Sequence, residues 1–461
     1  MVIKLTITAS AILIIDMRTI GLETFLPCTT LLRVFLDMKY SYDKFNLGFW
    51  LNYTKDLCLK SIFILLIFSC EQAEATIPST DPPVKILPKE PTITAASYPE
   101  TYIPFLKGKK VGIVGNQTSM VDDTHLVDTM IASGINIVRV FSPEHGFRGD
   151  ADAGELVGDQ KDDKTGLPII SLYGKNKKPY DSQLEGLDIV VFDIQDVGVR
   201  FYTYISTLHY VMEACAENNI PLMILDRPNP NGHYVDGPVL DTKYKSFVGM
   251  HPVPIVHGMT IGEYGKMIVG EKWLKGEVEC DLTVIPCSKL YSHAHRWRVK
   301  IPPSPNLRSQ LSISVYPSLC LLEATDVTIG RGTDGPFERF GHPNFPDSLE
   351  FNFTPEPNLG AKYPKHKGKK CYGFDLNGDS MNLRMYKMDL SFLIEANNYM
   401  KGDMFLGKKK DMFHLLAGNG LLLGQVQKGM TEDQIRETWK EDLDAFKLIR
   451  EKYLIYGLGD E

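Results

Sequence analysis

Four short β-branched runs, each followed by a cluster of polar and turn-forming residues, constrain this chain more than any other feature. They are VGIVG (Val111 to Gly115), INIVRVF (Ile135 to Phe141), LDIVVFDI (Leu187 to Ile194) and PLMILD (Pro221 to Asp226). Between them lie segments such as THLVDTMIASG and YISTLHYVMEACAENN, whose apolar residues recur three and four apart and suit crossover helices. Strands alternating with helices in this way build βαβ units around a parallel sheet. The clusters after the strands are Asn116-Gln117-Thr118, SPEHGFRG (Ser142 to Gly149), DIQDVGVRFYTY (Asp193 to Tyr204) and DRPNPNG (Asp226 to Gly232). Open α/β sheets bind ligands outside the carboxyl ends of their strands, so these loops are expected to line one crevice. The plainer alternative for single residues is that Asp193 and Asp226 cap helices while Pro228 and Pro230 shape turns.

At 461 residues the chain exceeds what one hydrophobic core usually serves, which predicts two domains plus sequence outside them. Its 43% hydrophobic and 23% charged composition is that of a globular protein. A formal net charge of -7 argues against a nucleic-acid partner, which calls for clustered Lys and Arg. The short basic runs Lys175 to Lys178 and Lys408 to Lys410 read as solvated loops. VGIVGNQT lacks GxGxxG spacing and no GxxxxGK[ST] occurs, which disfavours NAD or ATP. HExxH and GxSxG are absent as well. The eight Cys include no CxxC pair, and DLNGDS at Asp375 would place Tyr386 where a calcium loop needs Glu. No metal and no cofactor is expected, and DLNGDS reads as a turn. Cys280 and Cys287 either pair or are buried as small apolar residues.

Toward the front, KDLCLKSIFILLIFSCEQAEA has the layout of a signal peptide: Lys55 and Lys60 flank an apolar run from Ser61 to Phe68, with Ala73-Glu74-Ala75 following. The run is far shorter than the roughly 20 apolar residues of a spanning helix, so no integral membrane span is expected. Export to the periplasm or cell surface follows, with cleavage after Ala75. Ile67-Phe68-Ser69-Cys70 loosely resembles a bacterial lipobox and makes Cys70 a candidate lipid anchor. Residues 1–76 are accordingly an upstream extension and signal peptide, and 77–101, containing TDPPVKILPKEPT, a Pro-rich linker. A Rossmann-like parallel-sheet domain is expected over 102–311 and a smaller α+β C-terminal domain over 312–461, with the boundary near Ser312. The second domain ends in TEDQIRETWKEDLDAFKLIREKYLIY. There Thr431 and Gln434 form a capping box, and Ile435, Trp439, Leu443, Phe446 and Tyr453 mark one amphipathic helix.

SPEHGFRG, DIQDVGVRFYTYISTL and DRPNPNG are followed in order by HGMTIGE (His257 to Glu263), IPPSPNLRS (Ile301 to Ser309) and LLEATDVTIGRGTDGPFERFG (Leu321 to Gly341). Together these segments resemble the NamZ-type exo-β-N-acetylmuramidase family, formerly a domain of unknown function. The resemblance runs from about Tyr102 to the C-terminus. It implies a Rossmann-like domain whose cleft a second domain closes. It also implies exo-hydrolysis of the β-1,4 bond that follows a non-reducing terminal N-acetylmuramic acid, in cell-wall turnover or recycling. The partners implied are peptidoglycan-derived muropeptides or MurNAc-GlcNAc saccharides.

Glycosidic bonds are usually broken by two carboxyl groups, one donating a proton to the leaving oxygen and one activating water or attacking the anomeric carbon. Glu144, just after a strand and between Pro143 and His145, is the expected acid. Glu323, in the segment that resembles the family's second glutamate motif, is the expected partner, with Asp196 as the alternative. A lactyl carboxylate on the substrate, or a peptide attached to it, calls for a cationic or amide donor, and Arg200, Arg308 and Arg331 are candidates. Tyr202 and Tyr204 can stack on a pyranose face or serve as core residues. Asn116, His145, Asp193, Asp226, Asn229, His257 and Asn306 are polar loop residues suited to hydroxyl and acetamido recognition. The competing function is a non-catalytic muropeptide-binding protein, which keeps the Arg and aromatic contacts but needs no acid. A cell-wall amidase or esterase lacks a nucleophile or metal motif here.

Overall fold

The structure, a computed structural model, describes residues 6–7, 13–14, 94–144, 146–148, 160–377, 386–400, 403–406 and 410–458. The chain divides into two units, Met1–Lys89 and Glu90–Glu461. In the first, Thr6–Ile7 pairs with Leu13–Ile14 in antiparallel fashion. The expected signal segment, with Cys70, lies outside the described residues. Everything below concerns the second unit.

A seven-stranded sheet forms its centre. In chain order the strands are β1 (Lys110–Gly115), β2 (Asn136–Ser142), β3 (Gln160–Lys161), β4 (Pro168–Ser171), β5 (Ile189–Asp193), β6 (Leu222–Leu225) and β7 (Leu282–Ile285). They lie side by side as β7-β6-β5-β1-β2-β4-β3. All neighbours are parallel except β3, which runs antiparallel to β4 at the edge. Leaving out that edge strand, the order is the doubly wound one, with the chain starting in the middle, working to one side and crossing back to the other. The four sequence runs become β1, β2, β5 and β6. The strands PIIS and LTVI, not singled out above, complete the sheet. Every residue of Ile189–Asp193 and of Leu222–Leu225 is buried. That continuous burial, without alternation, is what a parallel sheet covered on both faces produces.

Helices α1 (Leu126–Ala132), α2 (Tyr204–Glu217) and α3 (Ile261–Gly270) cover the sheet. In α2, Leu208, Val211, Met212 and Cys215 are wholly buried. Each large aliphatic side chain so placed contributes about 1.5–3 kcal/mol. The folded unit also takes in part of the expected Pro-rich linker. Ala95 and Ala96 are buried, Ala95 N–H donates to the Asp226 carbonyl (2.9 Å), and the Tyr102 hydroxyl donates to the Ala96 carbonyl (2.9 Å).

After residue 309 come α4 (Gln310–Leu319), a three-stranded antiparallel sheet of β8 (Arg339–His342), β9 (Asn352–Phe353) and β10 (Cys371–Asp375), and helices α5 (Ser391–Tyr399), α6 (Lys410–Ala417) and α7 (Leu422–Gln427). The end of the chain departs from its sequence reading. The capping box forms, with Gln434 N–H on Thr431 Oγ1 (3.3 Å) and Thr431 N–H on Gln434 Oε1 (3.0 Å). The single expected helix, however, is two: α8 (Glu432–Glu437) and α9 (Lys440–Glu451). Thr438 Oγ1 donates to the Ile435 carbonyl (2.7 Å), a side-chain bond that competes with the helical ladder and lets the axis turn at Trp439. Cys280 and Cys287 are buried free thiols. Among the described residues no helix is long and apolar enough to cross a membrane.

Candidate active site

A cavity of about 520 Å³ opens at the carboxyl ends of the strands. The loop after β2 supplies Glu144, the loop after β4 supplies Tyr173 and Lys177, and the loop after β5 supplies the run from Phe201 to Tyr204. The opposite wall comes from beyond residue 309: Tyr316, Glu323, Arg331 and Phe337, with Met412 and Leu416 of α6. The floor is aromatic. Phe201 and Tyr202 meet Tyr316 edge to face at 5.4 and 5.8 Å, and Tyr316 meets Phe337 at 5.0 Å. Such rings give a sugar apolar surface to rest on beside the polar groups of the lining.

Glu144 leaves β2 through Pro143 and is met by the Thr203 hydroxyl, 3.4 Å from Oε2. Tyr173 also hydrogen-bonds it. Burial first, and then the neighbouring Glu144 charge, push the Tyr173 phenol well above its ordinary range, so it stays a protonated donor. Across the cavity, Arg331 grips Glu323 with two parallel bonds, Nε to Oε1 at 2.7 Å and a terminal nitrogen to Oε2 at 2.9 Å. Burial alone would lower the guanidinium pKa, but the adjoining Glu323 charge raises it above its usual value. The loop carrying Glu323 is itself tied down by Lys365 Nζ, which donates to the Glu323, Thr325 and Val327 carbonyls at 2.8–3.0 Å. Two carboxyl groups, one from each side of residue 309 in the chain, therefore line one cavity. This is the equipment of a glycosidase.

Family models described as exo-β-N-acetylmuramidase NamZ, N-terminal and C-terminal, match residues 111–311 and 314–456. The chain belongs to the NamZ exo-β-N-acetylmuramidase family. It is 38% identical over 412 residues to the peptidoglycan β-N-acetylmuramidase NamZ of Bacillus subtilis, covering 85% of this chain and 97% of that protein. Two crystal structures of DUF1343 family proteins from Bacteroides fragilis share its fold. One has 44% identity and a TM-score of 0.72, covering 79% of this chain and 99% of that one. The other has 28% identity and a TM-score of 0.65, covering 79% and 98%. Like the other NamZ proteins, this one is a glycoside hydrolase.

Of the residues singled out from the sequence, Glu144, Glu323, Tyr202, Tyr204 and Arg331 line the cavity of this NamZ fold. Tyr202 does so from below: its hydroxyl donates to the Pro303 carbonyl (2.9 Å) and its ring is packed against Tyr204 and Tyr316, so it forms floor in place of an open stacking face. His145 lies outside the described residues.

The remaining expected site residues are not in the lining of this cavity, and each has partners of its own. Arg200 is fully buried and gives its terminal nitrogens to the Pro238, Val253, Leu416 and Ala417 carbonyls. Arg308 donates to the Pro305 and Leu359 carbonyls at the surface. Asp193 forms a buried bidentate pair with Arg227 (2.5 and 2.8 Å). Asp226 receives Gly262 N–H at the start of α3, the Thr260 hydroxyl and the Tyr456 hydroxyl, the helix-capping alternative raised for it. Asn116 bonds Tyr204 and Thr118, Asn229 bonds Met259 and Asn231, and Asn306 donates to the Gly360 carbonyl. Asp196 accepts Gly198 N–H (2.6 Å) inside the β5 loop, and burial pushes its carboxyl up to about 7. His257 sits 3.9 Å from it, fully buried, with its pKa pulled down to about 3 by burial.

Sequence reasoning missed Tyr173, Lys177 and Thr203. The basic run was read as solvent-facing, whereas Lys178 is anchored on Glu213 and Glu217 of α2 and Lys177 lines the cavity. The signal was present: LPIISL is a short apolar run followed by YGKNKK, so the strand-end rule applied to it places Tyr173 and Lys177 at the crevice.

One set of metal-type donors occurs among the described residues, Asp326, His342 and His366, with ligand atoms within 4.8 Å of one another. His342 Nδ1 accepts Asn344 N–H (3.0 Å), which leaves the ring proton on Nε2 facing Asp326 (3.1 Å). His366 Nε2 donates to the Asp326 carbonyl (2.6 Å). The network satisfies itself as hydrogen bonds, and the Nε2 lone pair a metal would take from His342 is protonated.

Proposed function

We propose that this glycoside hydrolase releases non-reducing terminal N-acetylmuramic acid from peptidoglycan-derived muropeptides or MurNAc-GlcNAc saccharides, with Glu144 as proton donor to the leaving oxygen. The observation that carries the reading is that Glu144 and Glu323 line one cavity at the strand ends. Thr203 and Tyr173 orient the Glu144 carboxyl toward the bound glycoside. The Arg331 fork engages both oxygens of Glu323 and holds a carboxylate that can steady positive charge at the anomeric carbon or orient water.

The test uses a chromogenic β-N-acetylmuramide and the matching β-N-acetylglucosaminide, with wild-type protein and Glu144→Gln. Release from the muramide alone is expected, reduced about 10²–10⁴-fold in the variant. Release from neither glycoside, or full activity in the variant, would overturn the reading. The site of action is proposed to be outside the cytoplasm, on the strength of the segment from Lys55 to Ala75. Mass analysis of the N-terminus from the native host checks this: a chain starting at Thr76, or at a lipidated Cys70, supports export, and an unprocessed chain counts against it.

A further inference from the structure

N-acetylmuramic acid differs from N-acetylglucosamine by a lactyl ether whose carboxylate is ionised at neutral pH. A pocket that prefers the first sugar needs a cation to meet that carboxylate. Of the three arginines nominated from sequence, Arg200 is spent on backbone carbonyls in the core and Arg308 on carbonyls at the surface. Arg331 has its fork closed on Glu323. We propose that Lys177 is the residue that reads the lactyl carboxylate and so sets the preference for muramides over glucosaminides. This rests on the muramidase reading above.

Lys177 lines the cavity on the same side as Glu144 and Tyr173. Its ammonium stands 4.2 Å above the centre of the Phe247 ring, a contact that keeps a cation without consuming its hydrogen-bond donors. Phe247 is itself fixed: its carbonyl accepts the Ser206 hydroxyl (2.7 Å) and its ring stacks on Tyr210 at an interplanar angle of 15°. The next residue turns the other way, with Lys178 Nζ 2.7 Å from Glu213 and 2.6 Å from Glu217. The loop is thus fastened to α2 by one lysine while its neighbour is presented to the cavity. Among the described residues no carboxylate lies within 4.0 Å of Lys177 Nζ, in contrast to Lys164, Lys178 and Lys243. With Arg331 matched to Glu323, Lys177 is the other cation in the lining. A compact ammonium on a flexible stem suits a carboxylate that swings on an ether link.

The experiment compares wild type, Lys177→Met and Lys177→Arg on three β-glycosides: the muramide with a free lactyl carboxylate, the same muramide with a lactyl carboxamide, and the glucosaminide. Binding of free N-acetylmuramic acid and N-acetylglucosamine is measured in parallel by calorimetry. Lys177→Met is expected to raise KM for the free acid about 10-fold, the scale of one hydrogen bond to a charged group, with a smaller change in kcat. Its preference for acid over carboxamide should vanish, and Lys177→Arg should restore it. An equal loss on acid and carboxamide, or no loss on either, overturns the assignment. Wild type that turns over no muramide but binds N-acetylmuramic acid in a Lys177-dependent way upholds the assignment and sinks the hydrolytic reading. Wild type that binds neither sugar overturns both.

Discussion

Replacing Arg200 with Met removes a guanidinium that bridges two parts of the fold distant in sequence. Its terminal nitrogens donate to the Pro238 and Val253 carbonyls at 2.8 Å and to the Leu416 and Ala417 carbonyls at 2.9 and 2.8 Å. Each such bond to a charged donor is worth about 1.5–3 kcal/mol when formed in isolation. Against this stands the cost of burying the charge. Burial pulls the Arg200 pKa down to about 9 from 12.5, which at roughly 1.4 kcal/mol per tenfold amounts to about 5 kcal/mol. The native bonds offset that cost, but a Met removes the guanidinium donor from four carbonyls, of which Val253 keeps the Leu240 N–H. The expected loss is about 3–5 kcal/mol, the range for deleting one member of a buried charged network. At about 2 °C per kcal/mol for a large unit, Tm should fall roughly 6–10 °C. Urea denaturation and thermal melts read this directly, and muramide kinetics below the transition read any effect on binding. A variant with unchanged Tm and a selectively raised KM would refute the reasoning, because that is the behaviour of a substrate ligand.

Other perturbations follow from the same contacts. Asp196 is held up at about 7 by burial against 3.8 when unfolded, so the folded state binds the extra proton between those values. Its contribution is therefore present below about pH 4 and is lost as pH rises toward 7, by about 4 kcal/mol in total. Asp196→Asn should flatten that part of the stability profile in urea titrations from pH 4.5 to 7.5, and a variant with the wild-type slope would contradict this. Gly198 has φ +75°, and a Cβ there would sit 2.2 Å from the Asn229 side chain. Gly198→Ala should cost about 2–3 kcal/mol in chemical denaturation, whereas an unshifted midpoint would mean the loop relaxes freely. Arg331→Met removes the fork that holds Glu323 and, on the role proposed for that carboxylate, should lower kcat on the muramide about 10–100-fold. Unaltered turnover there would show that Glu323 needs no such clamp.

What the sequence determined by itself was local and periodic. Runs of β-branched residues such as Ile189–Asp193 become buried strands because their own side chains favour extended backbone and apolar surroundings. The strand-end rule then brings Glu144 to the crevice, and the ordered motifs bring Glu323 and Arg331 into the family's second wall. Pro168–Ser171 was passed over although it is as long as Leu222–Leu225, and with it went Tyr173 and Lys177. Tertiary structure alone decided which polar side chains in the irregular loops face the cavity. Asp226 is turned inward by Tyr456, 230 residues away in sequence. Arg200 is turned inward by carbonyls at 416 and 417, and Lys178 parts from Lys177 because α2 offers Glu213 and Glu217. In a loop no repeating backbone geometry sets side-chain direction. A buried polar group must find its partner wherever the fold places one, and that partner is seldom a neighbour in sequence.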